Sequence, residues 1–524
     1  MRKPVRILFF MRNLRGYLRF FEPVLRVLGE RGHSVHIVFD EPPDEDEQRW
    51  VERFRREHPG ITLSRTPVRS GRLWHHLGRE IRLSLDYLRF LRPEFANAPS
   101  LKGRPGKDPP RVVMFASRLP LAQTRPVLSL ITGALRLAER ALPPNPAVAA
   151  FIARQQPDVV MFTPYLAMGS VQPVYLRCAK AVGARTMVCV ASWDNLSSKS
   201  LIRDLPDAVT VWNETQKKEL VELHRIPAER IVVTGAQNFD PWFEWKAGSR
   251  EEFCRKVGLD PQRPYVLYLG SALYAASITE PEFARQWIRR IRASSDPRLR
   301  EAGVLLRPHP NRNREWTKTD FSELGNVAVW PRSGEMPVAA EARADFHDSL
   351  YHSAAVMGLN TSALIEAVIV GRPVHTLLTP EFANSQLGTL HFKYLMEIEG
   401  GCLRVARSFE EHLGQLAEAL TTAHEGRQRH RRFLEAFVRP GGIDTPAAPP
   451  FVDAIEDLAA RPAPLPLQTG LGLHAVRTLL YPLAVASEAA RRIRNARLKG
   501  LPLYGSETFS RVIFGRPRHA RGAE

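Results

Sequence analysis

The chain has 524 residues, with 74 Lys+Arg against 55 Asp+Glu for a formal charge of +19, and 44% of its residues are hydrophobic. This is a globular composition, long enough for two or more domains, and it excludes a disordered or collagen-like chain. The four cysteines (Cys178, Cys189, Cys254, Cys402) show no Cys-x-x-Cys or mixed Cys/His spacing, which argues against a disulfide scaffold or structural zinc and fits a reducing compartment.

After Met1-Arg2-Lys3 the apolar run Val5 to Met11 is short, broken by Arg6 and followed by Arg12, Arg15 and Arg19. It lacks the core and cleavage site of a signal peptide. No stretch approaches about 18 uncharged apolar residues, so no transmembrane helix and a cytoplasmic location are expected. Val5 to Phe10 reads as a strand, Phe20 to Glu30 as a helix closed by Gly32, and Val35 to Phe39 as a second strand. Such a βαβ opening normally builds a parallel sheet.

An acidic loop (Asp40 to Glu47) leads into a basic stretch. Arg72 to Arg92 carries apolar residues at mostly three- to four-residue intervals with five arginines among them, and 97–111 is a loop rich in Pro, Gly and Lys/Arg. Strands and helices alternate again from Asp158 through Thr234. The pattern restarts with strands at Tyr265–Leu269, Gly303–Arg307, Ala354–Gly358 and Pro373–Leu378.

These two units of alternating β and α predict an α/β chain of two doubly wound, Rossmann-like domains facing a cleft, 1–243 and 244–440. The first carries a basic insert at about 65–125. Residues 441–524 read as a Pro/Ala-rich, then basic helical, tail.

In an open parallel sheet, ligands bind beyond the carboxyl ends of the strands, so the loops there hold the candidates. Asn360, Thr361 and Ser362 follow a strand and open a helix, where unpaired N–H groups suit a phosphate. Glu366, one turn on, could accept ribose hydroxyls; a plain N-cap is the competing reading. Arg307-Pro308-His309-Pro310 ends another strand, and Arg307 and His309 could both donate to a diphosphate, or the segment is only a rigid turn. Gly270-Ser271-Ala272 offers small residues for close backbone approach, with Glu280 on the following loop. In Ser192-Trp193-Asp194-Asn195, Asp194 is the candidate general base, against an Asx-turn or helix cap. His391 reads as a cleft residue or a packed one. The one Asp-x-Asp, Asp44-Glu45-Asp46, lies in the acidic loop, and no metal site is expected.

Taken together, these residues resemble the GT-B class of nucleotide-sugar glycosyltransferases. Gly16-Tyr17…Pro23…Leu28-Gly29-Glu30-Arg31-Gly32-His33-Ser34-Val35 resembles the opening of their first domain. The usual His after the first Gly is replaced by Tyr17. Val211-Trp212-Asn213-Glu214-Thr215-Gln216 to Val233-Thr234-Gly235-Ala236 resembles that domain's end. The second half is similar to the His-Pro subgroup, which includes CDP-glycerol glycerophosphotransferases, bacterial sialyltransferases and capsule-polysaccharide transferases.

The resemblance implies His309-Pro310 with Thr361-Ser362 as a clamp on the donor phosphates and Glu366 near the donor ribose. Ser271, Glu280, Arg307 and Asn360 complete the expected donor site, with Asp194 and His309 as the catalytic pair. It implies a nucleotide-sugar or CDP-alditol donor, a cell-surface glycan or lipid-linked acceptor, and no cofactor or metal. Two rivals stand beside it. One is a UDP-N-acetylglucosamine 2-epimerase, although the Asp-Ser-Gly-Gly-like turn of those enzymes is here Gly358-Leu359-Asn360-Thr361-Ser362. The other is a non-catalytic scaffold of polysaccharide assembly.

The charge is localised. Residues 65–125 hold 13 Lys/Arg against 4 Asp/Glu and 491–524 hold 9 against 2, which together supply 16 of the 19 excess charges. Either these are solvated surfaces or they dock on an anionic leaflet, where each Lys or Arg contributes about 1 kcal/mol. With no nucleic-acid-binding signature, the expectation is a protein peripheral to the inner face of the plasma membrane.

Overall fold

Strands β8 (Tyr265–Leu269) and β9 (Gly303–Arg307) are buried at every position. This is the pattern of parallel strands covered by helices on both faces. A computed structural model describes residues 3–41, 48, 52, 55–67, 73–96, 98, 101, 109–272, 276–334, 336–337, 339–421 and 427–498, without the side chains of 15–17, 123 and 494–498. Most of the expected acidic loop, most of the 97–111 loop, the Tyr17 side chain and most of the basic 491–524 stretch lie outside the described residues.

The first sheet is seven-stranded and parallel, in the order β3-β2-β1-β4-β5-β6-β7. Its strands are β1 (Arg6–Met11), β2 (Ser34–Phe39), β3 (Ile61–Arg65), β4 (Val159–Thr163), β5 (Arg185–Cys189), β6 (Ala208–Val211) and β7 (Ile231–Val233). Helix α1 (Leu14–Glu30) buries Leu18, Phe21, Val24, Leu25 and Leu28 against it. Their three- and four-residue spacing makes one apolar face.

The stretch between β3 and β4 adds helices α2 (Leu73–Arg89), α3 (Arg111–Ala116) and α4 (Arg125–Ala141). The expected docking arginines of α2 are in part internal. Arg82 and Arg89 are buried, and Arg89 donates to the carbonyls of Leu196 (2.6 Å), Lys199 (2.6 Å) and Ser200 (3.1 Å). The adjoining Asp86 accepts from Ser200 and Arg203. Buried charges demand such partners, so these arginines hold the insert to the first domain and cannot face a membrane.

The second sheet is six-stranded and parallel, in the order β10-β9-β8-β11-β12-β13. It adds β10 (Val327–Val329), β11 (Ala355–Gly358), β12 (Val374–Leu377) and β13 (Leu403–Ala406), with the short helix α5 (Ala363–Ile369) after β11. The two bodies share apolar packing, because Trp193, Trp212 and Phe239 join the core of the second. Tyr394 also donates to Glu219 across the junction at 2.6 Å.

Residues 441–460 do not behave as a tail. Helix α6 (Ala448–Ala460) returns to the first domain, where Phe451, Val452, Ile455 and Leu458 pack with Ile7, Phe9 and Phe21. Asp240 fixes the return by accepting from Arg439 and from the Ala447 and Ala448 backbone N–H groups, each at 2.9 Å. Helix α7 (Leu471–Leu498) then packs on α2 and α4.

Candidate functional site

Both sheets reverse strand order beside their first strand, β1/β4 in one and β8/β11 in the other. Such switch points leave a crevice at the strands' carboxyl ends. A cavity of about 310 Å³ lies there, walled by both bodies.

The second body builds its wall from three strand ends. Arg307 closes β9; its guanidinium lies over the Phe346 ring at 4.7 Å and donates to the Asp345 carbonyl and Ser349 Oγ at 3.4 Å each. Burial lowers it to about 10, with Asp345 opposing the shift, so it remains cationic at neutral pH. The next residues, Pro308 to Asn311, continue the wall.

The His309 Nδ1 accepts the Asn311 backbone N–H at 3.1 Å. That bond places the proton of the neutral ring on Nε2. Burial first, then Arg19 and Arg312, push His309 down to about 4. At neutral pH the ring is therefore an uncharged Nε2–H donor.

Gly270, at the end of β8, donates its N–H to the Arg307 carbonyl at 2.8 Å. A Cβ at Gly270 would sit 2.7 Å from the His309 nitrogen, so the close approach of these two strand ends requires glycine.

Beyond β11, Thr361, Ser362 and Glu366 line the same cavity. Burial raises Glu366 to about 7, while Arg19 and Arg307 pull it back. The first body contributes Arg19, Phe20 and Glu22 from α1, and the segment joining the bodies contributes Trp242 and Trp245. Glu22 accepts from Arg343 of the second body at 3.1 Å. Trp242 and Trp245 lie 5.7 and 5.4 Å from the His347 ring, forming an aromatic wall that suits a nucleobase or sugar face.

Of the residues singled out in the sequence, Arg307, His309, Thr361, Ser362 and Glu366 meet at this cavity. Ser271, Glu280 and Asn360 do not line it; Ser271 and Glu280 line a second cavity of about 290 Å³. Glu280 accepts the Ser271 N–H (2.8 Å) and the Tyr268 hydroxyl (3.2 Å), and burial raises it to about 8. Asn360 donates its backbone N–H to Ser271 Oγ at 3.3 Å and its amide to the Ser385 carbonyl.

Asp194 is also off the wall. Its carboxylate accepts from the side chains of Asn195 (3.0 Å) and Ser198 (3.2 Å) and lies 3.5 Å from Lys199. Ser192, two residues earlier, does line the cavity. His391 packs edge-on to Trp193 with ring centroids 4.9 Å apart. Arg19 and Glu22 fall within the quoted Gly16…Pro23 stretch but on a helix face that carries no site signal, and Arg343 and the two tryptophans sit in a helix or linker with no motif around them.

No family model matches the chain, and no curated protein matches it. Solved structures similar to it include a glycosyltransferase from Rickettsia africae ESF-5, at 11% identity over 88% of this chain and 100% of that one, with a TM-score of 0.49. UDP-GlcNAc 2-epimerases are similar too. The one from Methanocaldococcus jannaschii shows 13% identity, 82% and 98% coverage and a TM-score of 0.45. The one from Neisseria meningitidis, bound to UDP-GlcNAc, shows 12% identity, 87% and 100% coverage and a TM-score of 0.43.

Proposed function

We propose that the chain is a GT-B-type glycosyltransferase, or a related glycerophosphotransferase, working from a nucleotide-activated donor. The observation that carries this reading is the convergence of Arg19, Arg307 and Arg343 with the neutral His309 on one cavity at two strand-switch crevices. Three guanidiniums and an N–H donor suit an anionic diphosphate. Thr361 and Ser362 add hydroxyl donors, Glu366 faces the ribose, and the tryptophan wall takes the base or the sugar. Nothing in this scheme calls for a resident metal or cofactor.

The acceptor is a hydroxyl of a cell-surface glycan or a lipid-linked molecule, entering from the first domain. Its oxygen attacks the transferred centre, and its proton passes to a carboxylate. The bond to the nucleotide breaks with the electron pair leaving on phosphate. Preorganised donors at Arg307 and His309 stabilise that developing charge.

Among the described residues Glu22, paired with Arg343, is the first domain's carboxylate on the cavity wall and Asp194 is not, so we assign the base role to Glu22. The reaction would occur on the cytoplasmic side of the plasma membrane, within capsule or envelope polysaccharide assembly.

The test is a transfer assay with nucleotide sugars and a glycan acceptor mixture. His309→Ala and Glu22→Gln should lower kcat while the fold survives, and Asp194→Asn should not. Conversion of the donor sugar without any acceptor would instead identify an epimerase, and absence of nucleotide binding by calorimetry would favour a non-catalytic scaffold.

A further inference from the structure

Helices α4 and α7 pack against each other and against α2, yet their amphipathic order is inverted. The α2–α4 contact encloses charge: Arg82, Asp86, Arg89 and Glu139 are all buried there, with Arg203 reaching in to Asp86 and Glu139. Outward, large apolar side chains face solvent: Val112 (72% exposed) and Phe115 (70%) on α3, Leu121 (73%) after it, Leu130 (74%) on α4, and Leu479 (77%) and Leu483 on α7. Among the described residues, 11 of the 16 exposed large hydrophobics fall within 112–137 and 471–485. The apolar exposure is thus one feature of the helical appendage and not a scatter over the protein. A soluble monomer seldom leaves so concentrated a patch uncovered.

The exposed charge carried by these three helices has one sign. Arg111, Arg118, Arg125 and Arg140 are exposed. The only carboxylates within 109–141 and 471–498 are Glu139 and Glu488, and both are buried. Glu488 is in addition clamped by Arg491 and Arg492. An isologous dimer through this face would set arginines against arginines. Among the described residues, no helix is long and apolar enough to cross a membrane.

We propose that the face of α3, α4 and α7 lies in the interface of an anionic bilayer, its leucines and phenylalanine sunk to the level of the acyl chains and its arginines at the headgroups. This differs from docking by charge alone, since the attachment is chiefly apolar. It names the surface by which the proposed transferase meets a lipid-linked acceptor, but it stands on this face's own chemistry and survives if the donor reading fails.

The test is flotation of the full chain with vesicles of phosphatidylcholine containing about 30% phosphatidylglycerol, at low and at high salt. The chain should co-float, and high salt should release only part of it, because apolar insertion is not screened. Leu130→Glu combined with Leu483→Glu should lower vesicle affinity tenfold or more, given roughly 0.8 kcal/mol per buried methylene. Its melting temperature should be unchanged, since both side chains face outward. Three results would overturn the proposal: no flotation of the native chain, complete release by salt, or a double variant that floats as the native chain does. A concentration-dependent oligomer abolished by the double variant would also overturn it, and would assign the face to a second copy of the chain.

Discussion

Gly270→Ala gives a direct reading of how the Arg307–Pro310 loop is held. An alanine Cβ there would meet the His309 nitrogen at 2.7 Å, the Arg307 carbonyl oxygen at 3.0 Å and the Pro308 carbonyl carbon at 3.3 Å, all backbone atoms. Pro308 and Pro310 stiffen that backbone, so it cannot yield by rotating a side chain. Restoring ordinary contact at 3.4 Å means moving the loop by about 0.7 Å and straining the 2.8 Å Gly270–Arg307 hydrogen bond.

Overpacking of this kind costs about 1–3 kcal/mol, and the weakened bond about 1 more. Function should suffer further, since a displacement near 1 Å at a reacting centre can cost about 10²-fold. The assay pairs urea unfolding with nucleotide titration calorimetry. The expected variant is folded, 2–4 kcal/mol less stable by the sum of these rough terms, and much weaker for nucleotide. Gly29→Ala serves as control, because its Cβ would meet nothing within 4 Å and should stabilise α1 by roughly 0.5–1 kcal/mol. A Gly270→Ala protein with native stability and native nucleotide affinity would refute the packing argument.

Glu366, held near 7, should make nucleotide affinity rise between pH 6 and 8 as its carboxylate becomes ionised and accepts ribose hydroxyls more strongly; Glu366→Gln should bind more weakly with a flat profile, and affinity that falls over this range would count against the ribose role. Glu280, raised from 4.5 to about 8, stabilises the fold fully below the lower value and loses that contribution as pH climbs through the higher one, by up to about 5 kcal/mol. Glu280→Gln should therefore lessen the fall in melting temperature toward pH 9, and identical pH profiles would dismiss the buried carboxyl as its source. Asp240→Ala strands Arg439, which is buried and 2.9 Å from it, and should cost about 3–5 kcal/mol in a denaturant melt; a loss below about 1 kcal/mol, the scale of an exposed pair, would mean that the return of α6 is held elsewhere.

Several core strands were legible because they are largely apolar runs. Tyr265–Leu269 and Gly303–Arg307 were read with the ends the structure gives them. The edge strands β3, β10 and β13 were not. They are short and only partly buried, so their residues lack the continuous hydrophobicity that marks a central strand. Helix α6 was misplaced for a different reason: its partners Ile7, Phe9 and Phe21 lie more than 400 residues away in the chain, and periodicity reports a face without saying what covers it.

At the site, Arg307, His309, Thr361, Ser362 and Glu366 could be read because strand-end loops are local in sequence. Asp194 was chosen by the same rule, yet its carboxylate accepts from its own neighbours Asn195 and Ser198 and lies off the cavity wall. Arg19, Glu22 and Arg343 belong to helix faces that become a cavity wall only when the two bodies close. The charge was legible in amount but not in use, since Arg82 and Arg89 turn inward.

Titration calorimetry of the full chain against CMP, CDP, UDP, GDP and dTDP, repeated with Arg307→Met, tests the donor cavity most directly. At least one of these nucleotides should bind the native chain. Losing the guanidinium should weaken that binding by about ten- to a hundredfold, since a hydrogen bond to a charged group is worth about 1.5–3 kcal/mol. Absence of binding by all five, or binding that Arg307→Met leaves unchanged, would contradict a nucleotide diphosphate site at Arg307.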